Sequence, residues 1–104
     1  MVNEYTLKFT VEAEEDLLTI FGYINGNLSS PIAAEKLILK IEKACMQLVS
    51  FPFSGSIPKD AYLSRKGYRM ILVDNFIIFY LIDDTLIKIM RIIYGKRNYS
   101  DFLK

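Results

Sequence analysis

The residues with the clearest capacity for chemistry lie in "YGKRNY", Tyr94 to Tyr99, where an apolar run of the chain ends. Two tyrosines, Lys96 and Arg97 occur there within six residues. Such side chains can bind a phosphate or an acidic partner, and they can equally form the polar end of a buried strand. The surrounding charge mildly favours binding, because residues 53–104 carry nine basic and five acidic side chains, whereas residues 1–52 carry four and seven.

Composition excludes several kinds of catalytic site. The chain has no histidine and a single cysteine, which excludes a classical zinc site, a Cys-His pair and a Ser-His pair. Cys45 falls at an apolar position of a helical pattern, which predicts a buried structural thiol rather than a nucleophile. The sequence therefore indicates no metal and no cofactor.

Length and patterning predict one cytoplasmic domain that spans residues 1–104. The first residues do not form a charged segment followed by an apolar one, so no signal peptide is predicted. The longest uncharged run, residues 17–34, contains Gly, Asn, Ser and Pro. That composition does not suit a membrane-spanning helix, and the net charge of +1 gives no general attraction to a membrane surface.

A strand and two helices are predicted in the first half of the chain. "YTLKF", Tyr5 to Phe9, alternates apolar and polar residues as a strand does, and Thr10 is a suitable helix N-cap. The first helix then continues to Asn25–Asn27, where Gly26 can adopt the left-handed conformation. The "SSP" that ends at Pro31 supplies a serine N-cap and a proline for the first turn of a second helix. The short connection makes the two helices an antiparallel hairpin.

The second half of the chain is predicted to be β. Three runs of β-forming residues, "GYRMILV", "FIIFYLI" and "LIKIMRIIY", are joined by "DN" and "DDT". Asp74-Asn75 suits a two-residue hairpin turn. The run Phe76 to Ile82 has no polar side chain apart from a tyrosine, which predicts a central strand. The predicted fold is α+β: an N-terminal strand, an antiparallel α-helical hairpin, and a three-stranded antiparallel β meander in the order β-α-α-β-β-β.

A further set of apolar residues lies beside the main apolar stripe of each predicted helix. Val11 and Leu18 on the first helix, and Ile32, Leu39 and Met46 on the second, recur at seven-residue spacing. They can widen the buried stripe of a hairpin that contacts both the sheet and its neighbouring helix. Alternatively, they can form an exposed groove that receives a helix or strand of a partner protein.

Taken in order, these segments resemble the RelE/ParE superfamily of toxins from bacterial type II toxin-antitoxin modules, also called plasmid-stabilisation proteins. The resemblance is carried by "EAEEDLLTIFGYI", "SPIAAEKLILKIEKACMQLVSFPFSG", "KGYRMILVDNFIIFYLID" and "IKIMRIIYGKRNY". It covers nearly the whole chain. Its specific part is the combination of "FPFSG", "GYR-(x)4-DNFIIFY" and "RIIYGKR".

The resemblance implies a toxin that arrests growth and is neutralised by a cognate antitoxin. RelE-like members enter the ribosomal A site and cut messenger RNA, whereas ParE-like members inhibit DNA gyrase and are not nucleases. In both groups the toxin-antitoxin complex represses its own operon through the antitoxin, so operator DNA would be contacted only indirectly. The antitoxin is expected to bind the apolar residues of the helical hairpin, namely Leu18, Ile32, Leu39 and Met46.

The resemblance also identifies positions that distinguish the two activities. Ribonuclease members typically carry an arginine early in the strand after the hairpin turn, and one branch carries a histidine just before the tyrosine of the last strand. These positions are Ile77 and Ile93 here. We therefore favour inhibition of gyrase, with a ribosome-dependent endoribonuclease as the alternative. The residues expected to contact the target are Arg69, Tyr94, Lys96, Arg97 and Tyr99. The residues that would carry nuclease chemistry are Lys66, Arg69, Tyr94 and Arg97.

Two arginines share a strand face with aliphatic residues and therefore need a partner. Arg69 has two interpretations: it contacts the target, or it is an edge side chain that reaches water or pairs with Asp74 or Asp83. For Arg91 we predict a partly buried ion pair with an acidic residue of a helix. Tyr80 lies in the middle of a strand, where a core position is expected.

Overall fold

The computed structural model describes residues 4–27, 30–95 and 103. The chain forms seven elements, which are β1 (Thr6–Phe9), α1 (Val11–Asn27), α2 (Pro31–Ser50), α3 (Ala61–Lys66), β2 (Arg69–Val73), β3 (Phe76–Asp83) and β4 (Leu86–Tyr94). The four strands form one sheet in the order β1-β4-β3-β2. The meander β2-β3-β4 is antiparallel and β1 pairs parallel with β4, so the sheet is mixed and the predicted α+β class is confirmed.

The two predicted helix starts are confirmed by their capping hydrogen bonds. The backbone N–H of Ala13 donates to the Thr10 hydroxyl over 3.0 Å, and that of Ala33 donates to the Ser30 hydroxyl over 3.2 Å. The Thr10 hydroxyl also donates to the carbonyl oxygen of Met90, also over 3.0 Å, which fixes the start of α1 against β4. The predicted left-handed conformation of Gly26 is wrong, because α1 continues through this residue to Asn27.

The short helix α3 was missed by the sequence reasoning. Its local signals are present: Asp60 caps its N-terminus through a hydrogen bond from the Leu63 N–H, and Gly67 ends it with a φ of 89° in the left-handed region. Six residues are too few to show a helical apolar period, so these caps would have been the only usable signal.

Alternation along the strands divides the core into two clusters, one on each face of the sheet. The larger cluster packs the helical hairpin against the sheet and includes Ile41, Cys45, Leu48, Ile78 and Tyr80, all at most 1% exposed. The smaller cluster lies on the opposite face and contains Leu63, Tyr68, Ile77, Phe79 and Ile93. Because β3 contributes to both clusters and pairs on both sides, the prediction of a central strand is confirmed.

Burial of Cys45 has a measurable consequence at alkaline pH. Desolvation, with a smaller contribution from Glu42, raises the pKa of this thiol from 9.0 to about 12. The unfolded chain therefore loses the thiol proton at a lower pH than the folded protein, so stability is lost as the pH rises above 9. Between pH 8 and pH 10 we expect the free energy of unfolding to fall by about 1 kcal/mol more in the wild type than in Cys45→Ala. Urea unfolding at both pH values measures this difference, and equal slopes for the two proteins would contradict it.

In the part of the chain that the structure describes, no helix combines the length and the apolar character needed to cross a membrane.

Candidate functional site

Tyr94 is the part of the C-terminal "YGKRNY" segment whose environment is clearest. It is the last residue of β4, it is 38% exposed, and its ring meets the Phe76 ring edge-on at 5.7 Å between centroids. The next residue, Gly95, donates its N–H to the carbonyl oxygen of Asn75 over 2.7 Å, which holds the start of the segment against the β2–β3 turn. The other predicted target-binding residues of this segment, Lys96, Arg97 and Tyr99, lie outside the described residues.

Arg69 is held by backbone carbonyls rather than by a carboxylate. Its guanidinium donates to the carbonyl oxygens of Phe53 (3.2 Å) and Gly55 (2.9 Å), and it lies 5.1 Å from the centre of the Phe53 ring. The predicted pairing with Asp74 or Asp83 is therefore wrong.

Strand register explains why Arg69 pairs with neither aspartate. Asp74 follows the far end of β2 from Arg69 and binds Lys40 over 2.6 Å, whereas Asp83 lies 3.4 Å from Lys88.

Two of the residues proposed for nuclease chemistry, Arg69 and Tyr94, lie far apart in the sheet. Arg69 pairs with Tyr80 of β3, whereas Tyr94 pairs with Phe76 at the other end of the same strand. From strand geometry, the two positions are separated by about 13 Å along the sheet and about 10 Å across it. The Lys66 ammonium lies 5.5 Å from the centre of the Tyr62 ring, at the end of α3.

The two positions that distinguish ribonuclease members are part of the core. Ile77 and Ile93 face each other directly across β3 and β4 and are only 8% and 5% exposed. Both belong to the smaller cluster, together with Leu63, Tyr68 and Phe79. Neither position can contact a phosphate without removal of this packing.

The predicted ion pair of Arg91 is confirmed, and its partner is Asp16 of α1. The guanidinium Nε and one terminal nitrogen of Arg91 donate to the two carboxylate oxygens over 2.8 and 2.9 Å. The same carboxylate accepts the backbone N–H of Ile92 over 2.8 Å. This hydrogen bonding raises the pKa of Arg91, and the pair joins α1 to β4.

The second set of apolar residues on the hairpin is exposed, so the alternative of a wider buried stripe is wrong. Val11, Leu18, Ile32, Leu39 and Met46 are between 58% and 73% exposed. Beside Leu18, α1 and α2 form a groove of about 330 Å³ that is lined by Leu17, Leu18, Phe21, Ile38 and Glu14. The hairpin therefore presents an apolar surface with one carboxylate at its margin.

A second apolar surface was missed by the sequence reasoning. We call it the β2-edge surface; it consists of Phe51, Phe53, Ile57 and Leu72, all more than half exposed. Beside it, the end of α2 and the edge strand β2 enclose a cleft of about 270 Å³. The available signal was "FPFSGSI", in which three large apolar residues fall in a loop instead of a periodic element.

The loop of the β2-edge surface is fixed from beneath by Tyr80. This tyrosine is fully buried, its hydroxyl donates to the carbonyl oxygen of Pro52 over 2.8 Å, and it accepts the N–H of Gly55 over 2.9 Å. A Cβ at Gly55 would lie 2.5 Å from the same hydroxyl, so only glycine permits this approach. Burial raises the pKa of Tyr80, which keeps its hydroxyl protonated and able to donate.

Across residues 4–27, 30–95 and 103, no group of three or more Cys, Asp or Glu side chains is placed to hold a metal ion.

Comparison with known families identifies one whose model covers most of the chain. The family model described as "ParE toxin of type II toxin-antitoxin system, parDE" matches residues 7–99, which is most of the chain. The chain belongs to the ParE toxin family. No curated protein sequence matches it significantly.

Two solved structures share the fold of this ParE-family toxin. A chain of the chromosomal ParDE toxin-antitoxin system from P. aeruginosa is 23% identical with a TM-score of 0.75, and the match covers 89% of this chain and 98% of that one. A chain of the toxin-antitoxin complex RelBE2 from Mycobacterium tuberculosis is 21% identical with a TM-score of 0.65, and the match covers 88% and 99%. At these identities the likeness establishes the fold.

Proposed function

We propose that this ParE-family toxin arrests growth by binding and inhibiting its target rather than by cutting RNA, and that the target is DNA gyrase. The observation that supports this proposal is the packing of Ile77 against Ile93 in the smaller cluster. Cleavage of RNA needs a base, an acid and positive groups around one phosphate. Here the two positions that would supply an arginine and a histidine in ribonuclease members are buried and aliphatic.

The target would be contacted by the basic and aromatic residues of the second half of the chain: Arg69, Tyr94, Lys96, Arg97 and Tyr99. Among these, Arg69 has guanidinium donors beyond the two used by the loop carbonyls. Tyr94 presents part of its ring to solvent beside the Phe76 ring. The contacts that we propose are made in the cytoplasm and require no membrane.

The cognate antitoxin would bind the helical hairpin at Leu18, Ile32, Leu39 and Met46. These residues are exposed, and an apolar helix or strand that covers them would remove a large apolar area from water. Glu14 at the margin of the groove would favour a basic residue at one end of the antitoxin segment. Operator DNA would be reached only through the antitoxin of this complex.

A supercoiling assay with purified toxin and gyrase tests the proposal. We expect the wild type to inhibit supercoiling, and we expect Arg97→Ala to lose inhibition while it keeps its affinity for the antitoxin. Lys88→Ala is the matched control, since it removes a cationic side chain that pairs with the exposed Asp83. In parallel, a cell-free translation reaction is given the toxin and its reporter messenger is probed by primer extension. Codon-phased cuts that depend on translating ribosomes would contradict the proposal and establish the nuclease alternative.

A charge introduced into the hairpin surface should separate toxicity from neutralisation. We expect Leu39→Lys to weaken antitoxin binding by at least about tenfold, because a lysine must be desolvated in an apolar interface, while growth arrest persists. Titration calorimetry measures the affinity. Tyr23→Lys is the control, because it replaces an equally exposed apolar residue of α1 that is not among those assigned to the antitoxin. Unchanged affinity in Leu39→Lys would place the antitoxin elsewhere.

A further inference from the structure

The edge of β2 offers backbone groups to an extended segment of another protein. β2 is an edge strand of the sheet. Within the described part of the chain, its outer side is paired only at Met70, which exchanges two hydrogen bonds with Ser56 over 2.9 and 2.8 Å. Backbone groups of alternate residues point the same way, so the N–H and C=O of Leu72 also face outward. Among the described residues they have no hydrogen-bond partner.

Leu72 is also flanked by space for a side chain. The cleft of about 270 Å³ is lined by Phe51, Ser54, Ile71 and Leu72 from the loop and β2, and by Ala44, Gln47 and Leu48 from α2. Leu72 itself is 71% exposed. A strand laid beside β2 would place every second side chain toward the helical face of the sheet, where the cleft lies. Main-chain pairing with one pocket for an alternate side chain is the usual form of strand addition.

The loop of the β2-edge surface is preorganised in the unbound protein. Tyr80 and Arg69 together hold the carbonyl oxygens of Pro52, Phe53 and Gly55. Their hydrogen bonds fix the loop that carries two exposed phenylalanines. A fixed loop loses little conformational freedom on binding, which favours affinity.

A second copy of this chain does not fit the edge in the two-fold register centred on Leu72. A two-fold antiparallel pairing centred on Leu72 would set Asp74 of one copy opposite Met70 of the other. The backbone groups of Met70 are already bonded to Ser56, so this ladder cannot form without opening the loop. The edge instead suits an extended segment that pairs at Leu72 and stops before Ser56.

We propose that an extended segment of the target protein adds to the edge of β2 at Leu72 and inserts one apolar side chain into the neighbouring cleft. Arg69, which we assign to the target, stacks on the Phe53 ring and donates a hydrogen bond to the Phe53 carbonyl oxygen. The guanidinium therefore adjoins the β2-edge surface. The residues assigned to the antitoxin lie on the outer faces of α1 and α2. The inference rests on the proposed function and extends its target-binding surface.

Growth assays with Leu72→Lys test this inference. Lysine on an edge strand opposes strand addition, and at this exposed position it leaves the core intact. The toxin is expressed from an inducible promoter, with and without the antitoxin of its own operon. We expect viable counts after induction to rise at least about tenfold relative to wild type, with antitoxin affinity unchanged within about twofold. Tyr23→Lys, which adds the same charge on α1, should remain as toxic as wild type.

Phe53→Ala is the second variant, because it truncates an exposed ring without adding a charge. If Leu72→Lys does not fold, the toxicity of Phe53→Ala tests the inference. Full toxicity in both variants overturns the inference. Toxicity that the antitoxin no longer neutralises also overturns it, since the surface would then belong to the antitoxin. If the wild type itself causes no growth arrest, the proposed function is wrong. That outcome differs from the two results that would overturn the inference.

Discussion

Asp16→Ala is expected to lower the free energy of unfolding by about 3 kcal/mol, because it removes one member of a partly buried, doubly hydrogen-bonded ion pair. The carboxylate of Asp16 binds the Arg91 guanidinium through both oxygens and also accepts the N–H of Ile92. The two side chains are only 15% and 22% exposed. The substitution leaves the Arg91 guanidinium without this carboxylate in a region where water has limited access, and it removes one of the links between α1 and β4.

Urea unfolding of Asp16→Ala and wild type measures this effect. Asp83→Ala is the matched control, since it removes a carboxylate that pairs with Lys88 at an exposed site. Asp83→Ala should lower the free energy of unfolding by less than about 1 kcal/mol. Similar losses in both variants would show that the Asp16–Arg91 pair contributes no more than a surface ion pair.

Tyr80→Ala is expected to have the other large effect and to lower the free energy of unfolding by about 4 kcal/mol or more. The substitution leaves a cavity in place of a fully buried ring, and it leaves two backbone groups without their hydrogen-bond partner. Domains of this size are stabilised by only about 5–15 kcal/mol in total, so the variant should be close to unfolding at room temperature. Thermal and urea unfolding followed by circular dichroism measure the loss. Tyr94→Ala is the control, since this tyrosine lies on the same face of the next strand but is partly exposed.

Tyr80→Phe separates the hydroxyl from the ring. It leaves the Gly55 N–H and the Pro52 carbonyl oxygen without their shared partner, and the expected cost is about 1–3 kcal/mol. The β2-edge surface should become more mobile, which hydrogen exchange at Gly55 would detect. Unchanged exchange at this amide would show that the loop is held without the tyrosine.

Both large effects arise from residues that join distant parts of the chain, and both act on the proposed functional surfaces. The Asp16–Arg91 pair fixes α1, which carries part of the hairpin groove. Tyr80 fixes the loop of the β2-edge surface. Variants at these two positions are expected to reduce toxicity through loss of structure, so they are unsuitable for mapping contacts with the proposed target or the antitoxin.

Local sequence patterns were sufficient for the four strands, the two long helices and the N-caps of those helices. Thr10 and Ser30 were predictable because a capping side chain binds a backbone N–H only three residues away. The Asp74 turn was predictable for a similar reason, because its φ of 53° is a local property that aspartate tolerates. The central position of β3 followed from its apolar side chains on both faces.

Partners across the fold were predictable by type but not by identity. An arginine on an apolar face requires an acceptor, so an ion pair for Arg91 could be predicted, whereas the choice of Asp16 depends on how α1 crosses the sheet. The same reasoning failed for Arg69. Its acceptors are carbonyl oxygens of a loop, and every residue has a carbonyl, so the sequence contains no signal that singles them out.

The family, the order of the strands and the two long helices, and the aliphatic character of Ile77 and Ile93 could all be inferred from the amino-acid sequence. The packing of these two residues in a core, the exposure of the second apolar set of the hairpin and the open edge of β2 at Leu72 became apparent only in the folded chain. Capping and periodicity depend on residues a few positions apart. Exposure and strand-edge pairing depend on which distant segment covers a surface, and that is fixed only when the whole chain has packed.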